Sequence, residues 1–330
     1  MRALTRIVFS FIACVCALFA QTQAQAETYP SKPIRLIVSI AAGSVTDVIM
    51  RAAAAELQPR LGQPLVIENI GGAAGVLGGR ACAQAPGDGY SVCVIYHSTM
   101  SFNPLLFSNL SYNPDTDFIP VARLFFLVEG VFVSNDTGVN SIAELKALAQ
   151  SKPTSLNFAT LGEGSYPDLS LRWINNQWNT KIVGIPYRGG GPAAQALAAN
   201  QVQLTRFGVG NFLGLLQAGK VKALTVSSAQ RSPLLPEVPT FKEVGWGDFP
   251  GQGWWGIAVP KGTPPEIVAR LSAEFQKLFS EPKFTDFLRK QAVVPAVTDP
   301  AGFVAFLKQD RADAQTLIRI ANTPKSEFKE

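Results

Sequence analysis

Short apolar runs alternate with amphipathic runs along almost the whole chain. The short runs predict strands at Ile34–Ile40, Pro64–Asn69, Tyr90–Tyr96, Ala122–Phe126, Gly130–Ser134, Leu156–Ala159, Lys181–Pro186, Gln203–Phe207, Ala223–Ser227 and Gly256–Val259. Runs whose apolar positions recur every three or four residues predict helices at Asp47–Leu61, Ile142–Gln150, Asp168–Asn176, Pro192–Ala199, Phe212–Ala218, Pro265–Ser280, Pro282–Gln291 and Pro300–Ile320. Pro192 and Pro265 fall in first turns, where a missing N–H is tolerated, and Asp299-Pro300 reads as a cap followed by the same device. The last helix carries Phe303, Phe306, Leu307, Ala314, Leu317 and Ile318 on one face, which is expected to cover one lobe. Alternation of this kind argues for an α/β fold with largely parallel strands.

Three of the strand candidates run into a small-residue loop and then into a helix. Ile34–Ile40 leads through Ala41-Ala42-Gly43-Ser44-Val45-Thr46 to the helix at Asp47, and Leu156–Thr160 leads through Leu161-Gly162-Glu163-Gly164-Ser165 to the helix at Asp168. Val183–Tyr187 leads through Gly189-Gly190-Gly191 to Pro192. The first N–H groups of a helix have no partner inside it, and the helix dipole is positive there. Three such starts gathered at strand ends predict a binder of something carboxylate-like.

Composition narrows the class. Arg2 and Arg6 precede an apolar stretch from Ile7 to Ala20, and Ala24-Gln25-Ala26 is a small-x-small cleavage site. Residues 1–26 therefore read as a secretory leader, too short in its apolar part for the roughly 20 residues of a membrane span. The chain beyond this leader is long enough for two lobes with their own cores. Lys and Arg number 29 against 24 Asp and Glu, with no basic run, which argues against nucleic acid as a partner. Cys82 and Cys93 flank a Pro86-Gly87-Asp88-Gly89 turn and are either a disulfide or two buried thiols. His97, the one histidine, follows a strand end where α/β crevices form, yet without a paired acid it reads as a polar edge residue. The chain has no G-x-S-x-G elbow, and Gly71, Gly72, Gly75, Gly78 and Gly79 miss the dinucleotide spacing. Gly214–Lys220 mimics a phosphate loop until Val221 stands where Ser or Thr is needed. No enzyme, metal or cofactor is expected.

Several stretches carry a family resemblance. They are Tyr29–Val38, Ala41-Ala42-Gly43 ahead of Thr46–Ile49, Gly62–Asn69, Gly87–Tyr90, Asn103-Pro104, Ser141–Leu145, Asn157–Ala159, Pro186–Gly189, Ala218–Lys220, Arg231–Pro233, Val238–Thr240 and Gly262–Pro264. In these the chain resembles the substrate-binding proteins of tripartite tricarboxylate transporters, the TctC or Bug group. The resemblance implies a periplasmic binding protein of type-II-like α/β fold, with two Rossmann-like lobes joined by a hinge. It implies a small carboxylate as ligand and the membrane subunits of such a transporter as partners; the chain is expected to act as a monomer. Residues 27–126 with 252–330 are expected as one lobe and 127–251 as the other, the crossings lying in Leu127–Gly138 and Ser232–Gln252. An amino-acid-binding member, or a sensor that presents its closed form to a signalling receptor, are the alternatives.

The resemblance places the carboxylate on the first loop, Ala41 to Thr46, and on the second, Gly162-Glu163-Gly164-Ser165; the residues expected to bind it are Ala42, Gly43, Ser44, Thr46, Gly162, Gly164 and Ser165, with Thr160 at the strand end beside them. The chain departs from the family pattern at Val45, at Tyr166-Pro167-Asp168, and in the strand Gln203-Leu204-Thr205-Arg206-Phe207, where the family commonly ends on an acidic residue. Loss of that acid weakens the case for an amino acid ligand. Arg206 is a candidate clamp for a second carboxylate and Phe207 a candidate wall, and strand alternation allows only one of them to face the cleft. Among the aromatics Tyr166, Tyr96 and one of Trp254 and Trp255 are expected to line the site, with Trp254 the one chosen of the pair. These departures favour an aromatic or dicarboxylic acid.

Overall fold

Two sheets organise the chain. The computed structural model describes residues 29–152, 155–247 and 249–329; the expected leader, residues 1–26, lies outside the described residues. The strands are β1 (Ile34–Val38), β2 (Leu65–Asn69), β3 (Ser91–Tyr96), β4 (Phe118–Leu127), β5 (Glu129–Ser134), β6 (Asn157–Thr160), β7 (Val183–Pro186), β8 (Leu204–Gly208), β9 (Val221–Val226), β10 (Trp254–Pro260) and β11 (Val293–Pro295). One sheet runs β2-β1-β3-β10-β4-β11 and the other β7-β6-β8-β5-β9.

Both sheets are built alike. In the first, β1 is flanked by parallel β2 and β3, and β10 then pairs antiparallel with β3. In the second, β6 is flanked by parallel β7 and β8, and β5 then pairs antiparallel with β8. The expectation of largely parallel strands is corrected to a mixed arrangement, because β4, β5, β9, β10 and β11 all make antiparallel pairs. The reason is the path of the chain. β4 passes into β5 through Val128 alone, and the connection at 227–253 leads back to β10, so the strands entered from a crossing, β5 and β10, run against the parallel trios. Hydrophobic periodicity shows that a strand exists but carries no information on its direction.

The helices are α1 (Val45–Leu61), α2 (Val76–Ala83), α3 (Asn103–Leu106), α4 (Ile142–Ser151), α5 (Tyr166–Trp178), α6 (Gly190–Ala198), α7 (Leu213–Gln217), α8 (Pro265–Ser280), α9 (Pro282–Lys290) and α10 (Pro300–Ile320). α8 and α10 begin and end where their prolines and apolar spacing predict. Asp299 caps α10 by accepting from the Gly302 N–H at 2.7 Å, and Phe303, Leu307, Ala314 and Leu317 are its buried face. A π turn at Ser98–Phe102 leads directly into α3, and neither has the length or spacing that pattern reading detects. Cys82 and Cys93 form a disulfide between α2 and β3, which resolves the open choice between bridge and thiols. One core gathers Ile95, Trp254, Phe303 and Leu317 on the first sheet, and a second gathers Phe158, Ile174, Trp178 and Leu224 on the other.

Candidate functional site

The loops that follow β1, β6 and β7 meet at the strand ends between the sheets. After β1 the chain turns through Gly43, at φ +78° in the left-handed region that glycine adopts without strain. The Gly43 N–H donates to Asp47 Oδ2 at 2.9 Å, and Arg51 Nε donates to the same oxygen at 3.0 Å. Asn69 Nδ2 holds the other oxygen at 2.9 Å. Burial raises the Asp47 carboxyl, but the hydrogen bonds from Arg51, Gly43 and Asn69 outweigh it and hold the group below the usual carboxylate range. After β6 the same device appears: the Gly164 N–H donates to Asp168 Oδ2 at 3.0 Å, and Arg172 Nε donates to that oxygen at 2.9 Å. Gly43-Ser44-x-x-Asp47-x-x-x-Arg51 and Gly164-Ser165-x-x-Asp168-x-x-x-Arg172 are thus one motif used twice. In each copy an acid in the first helical turn folds the loop back over the helix start.

The two copies differ at the cap. Ser165 Oγ accepts from the Asp168 and Leu161 N–H groups at 3.4 and 3.2 Å and donates to the Gly162 carbonyl at 2.6 Å. Pro167 has no N–H, so the start of α5 offers little to a ligand. The Ser44 side chain makes no bond to its own helix, and its Oγ instead accepts from the Gly191 N–H at 3.4 Å. The Val45 N–H donates to Asn211 Oδ1 at 2.9 Å, which leaves the Thr46 and Asp47 amides as the first-turn donors of α1.

These bonds also tie one sheet to the other. The Ala41 N–H donates to the Arg188 carbonyl at 3.0 Å and the Ala74 N–H to the Leu161 carbonyl at 2.9 Å. A Cβ on Gly191 would stand 2.6 Å from the Gly43 carbonyl oxygen, so the approach of the loops depends on glycine there. Between the sheets is a cavity of about 40 Å³, with Ser44, Thr46, His97, Glu129 and Asn211 among its polar lining and Tyr96, Tyr166, Phe207 and Trp255 among its rings. Ligand pockets usually measure about 300–1,000 Å³, so a multi-atom ligand fits only with the sheets further apart than here. Larger grooves of about 620 and 530 Å³ run outside the cleft along the connection after β9.

Of the residues expected at the site, Ser44, Thr46, Tyr166 and Phe207 line this cavity. Ala42 and Gly43 are exposed on the loop. Gly162 borders a separate groove with Pro186 and Arg188. Thr160, Gly164 and Ser165 are spent inside the second loop, where the Gly162 N–H donates to Thr160 Oγ1 at 3.2 Å.

Arg206 does not reach the cavity as a carboxylate clamp. Its Nη2 donates to Glu129 Oε2 and to the Tyr166 hydroxyl, both at 2.9 Å, and its Nη1 donates to Ser170 Oγ at 3.1 Å. The guanidinium lies 4.0 Å from the centre of the Phe249 ring. Alternation along β8 sends Phe207 the other way, onto the cavity wall. Trp254 is likewise displaced by its neighbour: it packs edge-on against Phe303 and Phe306 in the core, while Trp255 stacks on Tyr96 at 4.5 Å beside the cavity. Burial pushes the Glu129 carboxyl up, and Arg206 opposes that. Glu129, Asn211 and Leu127 are wall residues with no local signal in the sequence, whereas Trp255 was the alternative offered to Trp254.

Two α/β sheets of the same design, meeting over a cleft at their strand ends, define a periplasmic binding protein fold of the two-lobe, type-II-like class. The model of the tripartite tricarboxylate transporter family receptor, TctC, matches residues 49–322, and the chain belongs to that family. A curated relative from Agrobacterium vitis, described as the UPF0065 protein in the TAR-I ttuE-ttuC' intergenic region, is 32% identical over 90% of this chain and 86% of its own. The structure of the periplasmic binding protein BugD is similar with a TM-score of 0.86 and 31% identity over 90% of this chain and all of that one (100%). Rpa4515 of R. palustris, solved with adipate, gives 0.85 and 28% over 90% and 100%. MatC of Rhodopseudomonas palustris, with bound malate, gives 0.81 and 30% over 88% of this chain and 100% of that one.

Proposed function

We propose that the protein is exported behind a cleaved leader and works in the periplasm as a solute-binding protein. It captures a small organic carboxylate between two lobes, residues 27–126 with 252–330 and residues 127–251, and delivers it to a tripartite tricarboxylate-type membrane transporter. The observation that carries the reading is the start of α1. Its Thr46 and Asp47 amides head a helix whose first turn borders a buried cavity at the strand ends, where an anion is favoured by both hydrogen bonds and dipole. Adipate and malate in the similar structures support a carboxylate ligand. Between the aromatic and the dicarboxylic acids, the rings of Tyr96, Tyr166, Phe207 and Trp255 favour an aromatic body. Closure brings both sets of loops onto the ligand, and the added contacts favour the closed form.

A thermal shift screen of the mature chain against succinate, malate, adipate, benzoate and hydroxybenzoates tests this. Ligand at about 100-fold its dissociation constant stabilises by roughly 2.7 kcal/mol, a rise of several degrees for a chain of this size. Thr46→Ala is expected to reduce the affinity by about 1 kcal/mol through loss of a cavity-wall hydroxyl. No shift with any of these acids, from protein freed of bound ligand by unfolding and refolding, would overturn the proposal.

A further inference from the structure

His97 stands in the cavity wall with nothing to bond. It is 6% exposed, it is enclosed by the rings of Tyr96 and Tyr166 at 5.0 Å and Phe102 at 5.6 Å, and neither ring nitrogen has a hydrogen-bond partner among the described residues. Burying a polar group unpaired costs about 1–3 kcal/mol, and native structures leave few such groups without a purpose. A neutral imidazole has one donor and one acceptor; a hydroxyl can pair with either nitrogen, whereas a carboxylate can only accept from the N–H. Burial, aided by Arg206, lowers the His97 pKa to about 3, so the ring is uncharged at neutral pH.

The charges around the cavity limit the ligand to one anionic end. No Lys or Arg side chain lines it, since Arg206 is committed to Glu129. Glu129 is in the wall with its charge already paired to Arg206, so that side offers no free cation to a second ligand carboxylate. The start of α5 is closed by Ser165 and Pro167, and at the start of α6 the Gly191 N–H is taken by Ser44 and Pro192 has none, which leaves the α1 amides as the main seat for an anion.

We infer that the ligand is a monoanion, an aromatic carboxylic acid with an uncharged hydrogen-bonding substituent such as a hydroxyl, and that His97 is the residue selecting for that substituent. The assignment rests on the cleft being the carboxylate site proposed above. The carboxylate sits at the start of α1, the ring lies between Phe207, Tyr166 and the Tyr96–Trp255 stack, and the substituent meets the imidazole.

Calorimetric titration of the mature chain, stripped of ligand by refolding, with benzoate, 3- and 4-hydroxybenzoate, malate, adipate and aspartate separates the outcomes. One hydroxybenzoate is expected to bind roughly three- to tenfold tighter than benzoate, and the dicarboxylates and aspartate more weakly than either. His97→Phe should abolish that preference with benzoate binding retained, and His97→Gln, which keeps a donor and an acceptor, should restore part of it. Tighter binding of malate, adipate or aspartate than of every benzoate would overturn the monoanion assignment and leave the cleft as a carboxylate site. Equal losses of benzoate and hydroxybenzoate in both variants would overturn the role of His97. Absence of binding by every probe would overturn both this assignment and the proposed function.

Discussion

Arg206 and Glu129 show how one buried pair shapes a site it does not join. Each is within a few per cent of full burial, and the arginine is further held by Tyr166 and Ser170. Removing one member of such a pair leaves an uncompensated charge in the interior. Glu129→Ala is therefore expected to lower the unfolding free energy by about 3–5 kcal/mol, read from urea titration. Asp47 acts in the opposite sense, since its carboxyl is held below its unfolded value. The folded chain then binds that proton less readily than the unfolded chain, so the contribution is fully present above about pH 4 and is lost as pH falls through the lower folded pKa. Urea midpoints of the wild type and Asp47→Asn should differ at pH 6 and converge towards pH 2.5. Both residues lay in plain view in the sequence. Asp47 was legible as part of a loop-and-helix start, whereas nothing local to Glu129 pointed to Arg206, which is 77 positions away.

At the scale of elements, agreement followed wherever the signal was local. The prolines that open α8 and α10 and the apolar spacing of their buried faces lie within each helix, and both helices fall where predicted. β11 is three residues long and exists because β4 offers it an edge, so its own sequence could not announce it. The repeated Gly-Ser-x-x-Asp-x-x-x-Arg motif was available to pattern reading, but its two copies are too far apart and too short to register as a repeat of fixed period. The disulfide belongs to this scale as well. It closes a loop of 11 residues in sequence separation between α2 and β3. Replacing both cysteines by alanine is expected to cost about 2–3 kcal/mol, and a reductant should lower the wild-type unfolding midpoint while leaving the variant unchanged.

For the whole molecule, the relevant quantity is the distance between the sheets. The Ala41–Arg188 and Ala74–Leu161 bonds and the Val45–Asn211 bond hold a cavity of about 40 Å³ at a separation that glycine permits. Gly191→Ala would put a methyl group 2.6 Å from the Gly43 carbonyl. Overpacking of this kind costs about 1–3 kcal/mol, and here it falls on the closed arrangement. The radius of gyration of the ligand-free protein is expected to rise, as small-angle scattering would show, because the separation that is penalised is the one too tight for a multi-atom ligand.

The alternation of strand and helix, the glycine and serine loops and the family motifs are properties of neighbouring residues, and they were enough to specify an α/β binding protein of the TctC family. Which side of a strand meets the cleft is settled by pairing and packing between segments far apart in the chain. That is why Trp255 took the place expected of Trp254, why Phe207 faced the cavity and Arg206 the core, and why His97 became a wall residue. A side chain's type can be read from one position, but its partners are chosen by the fold.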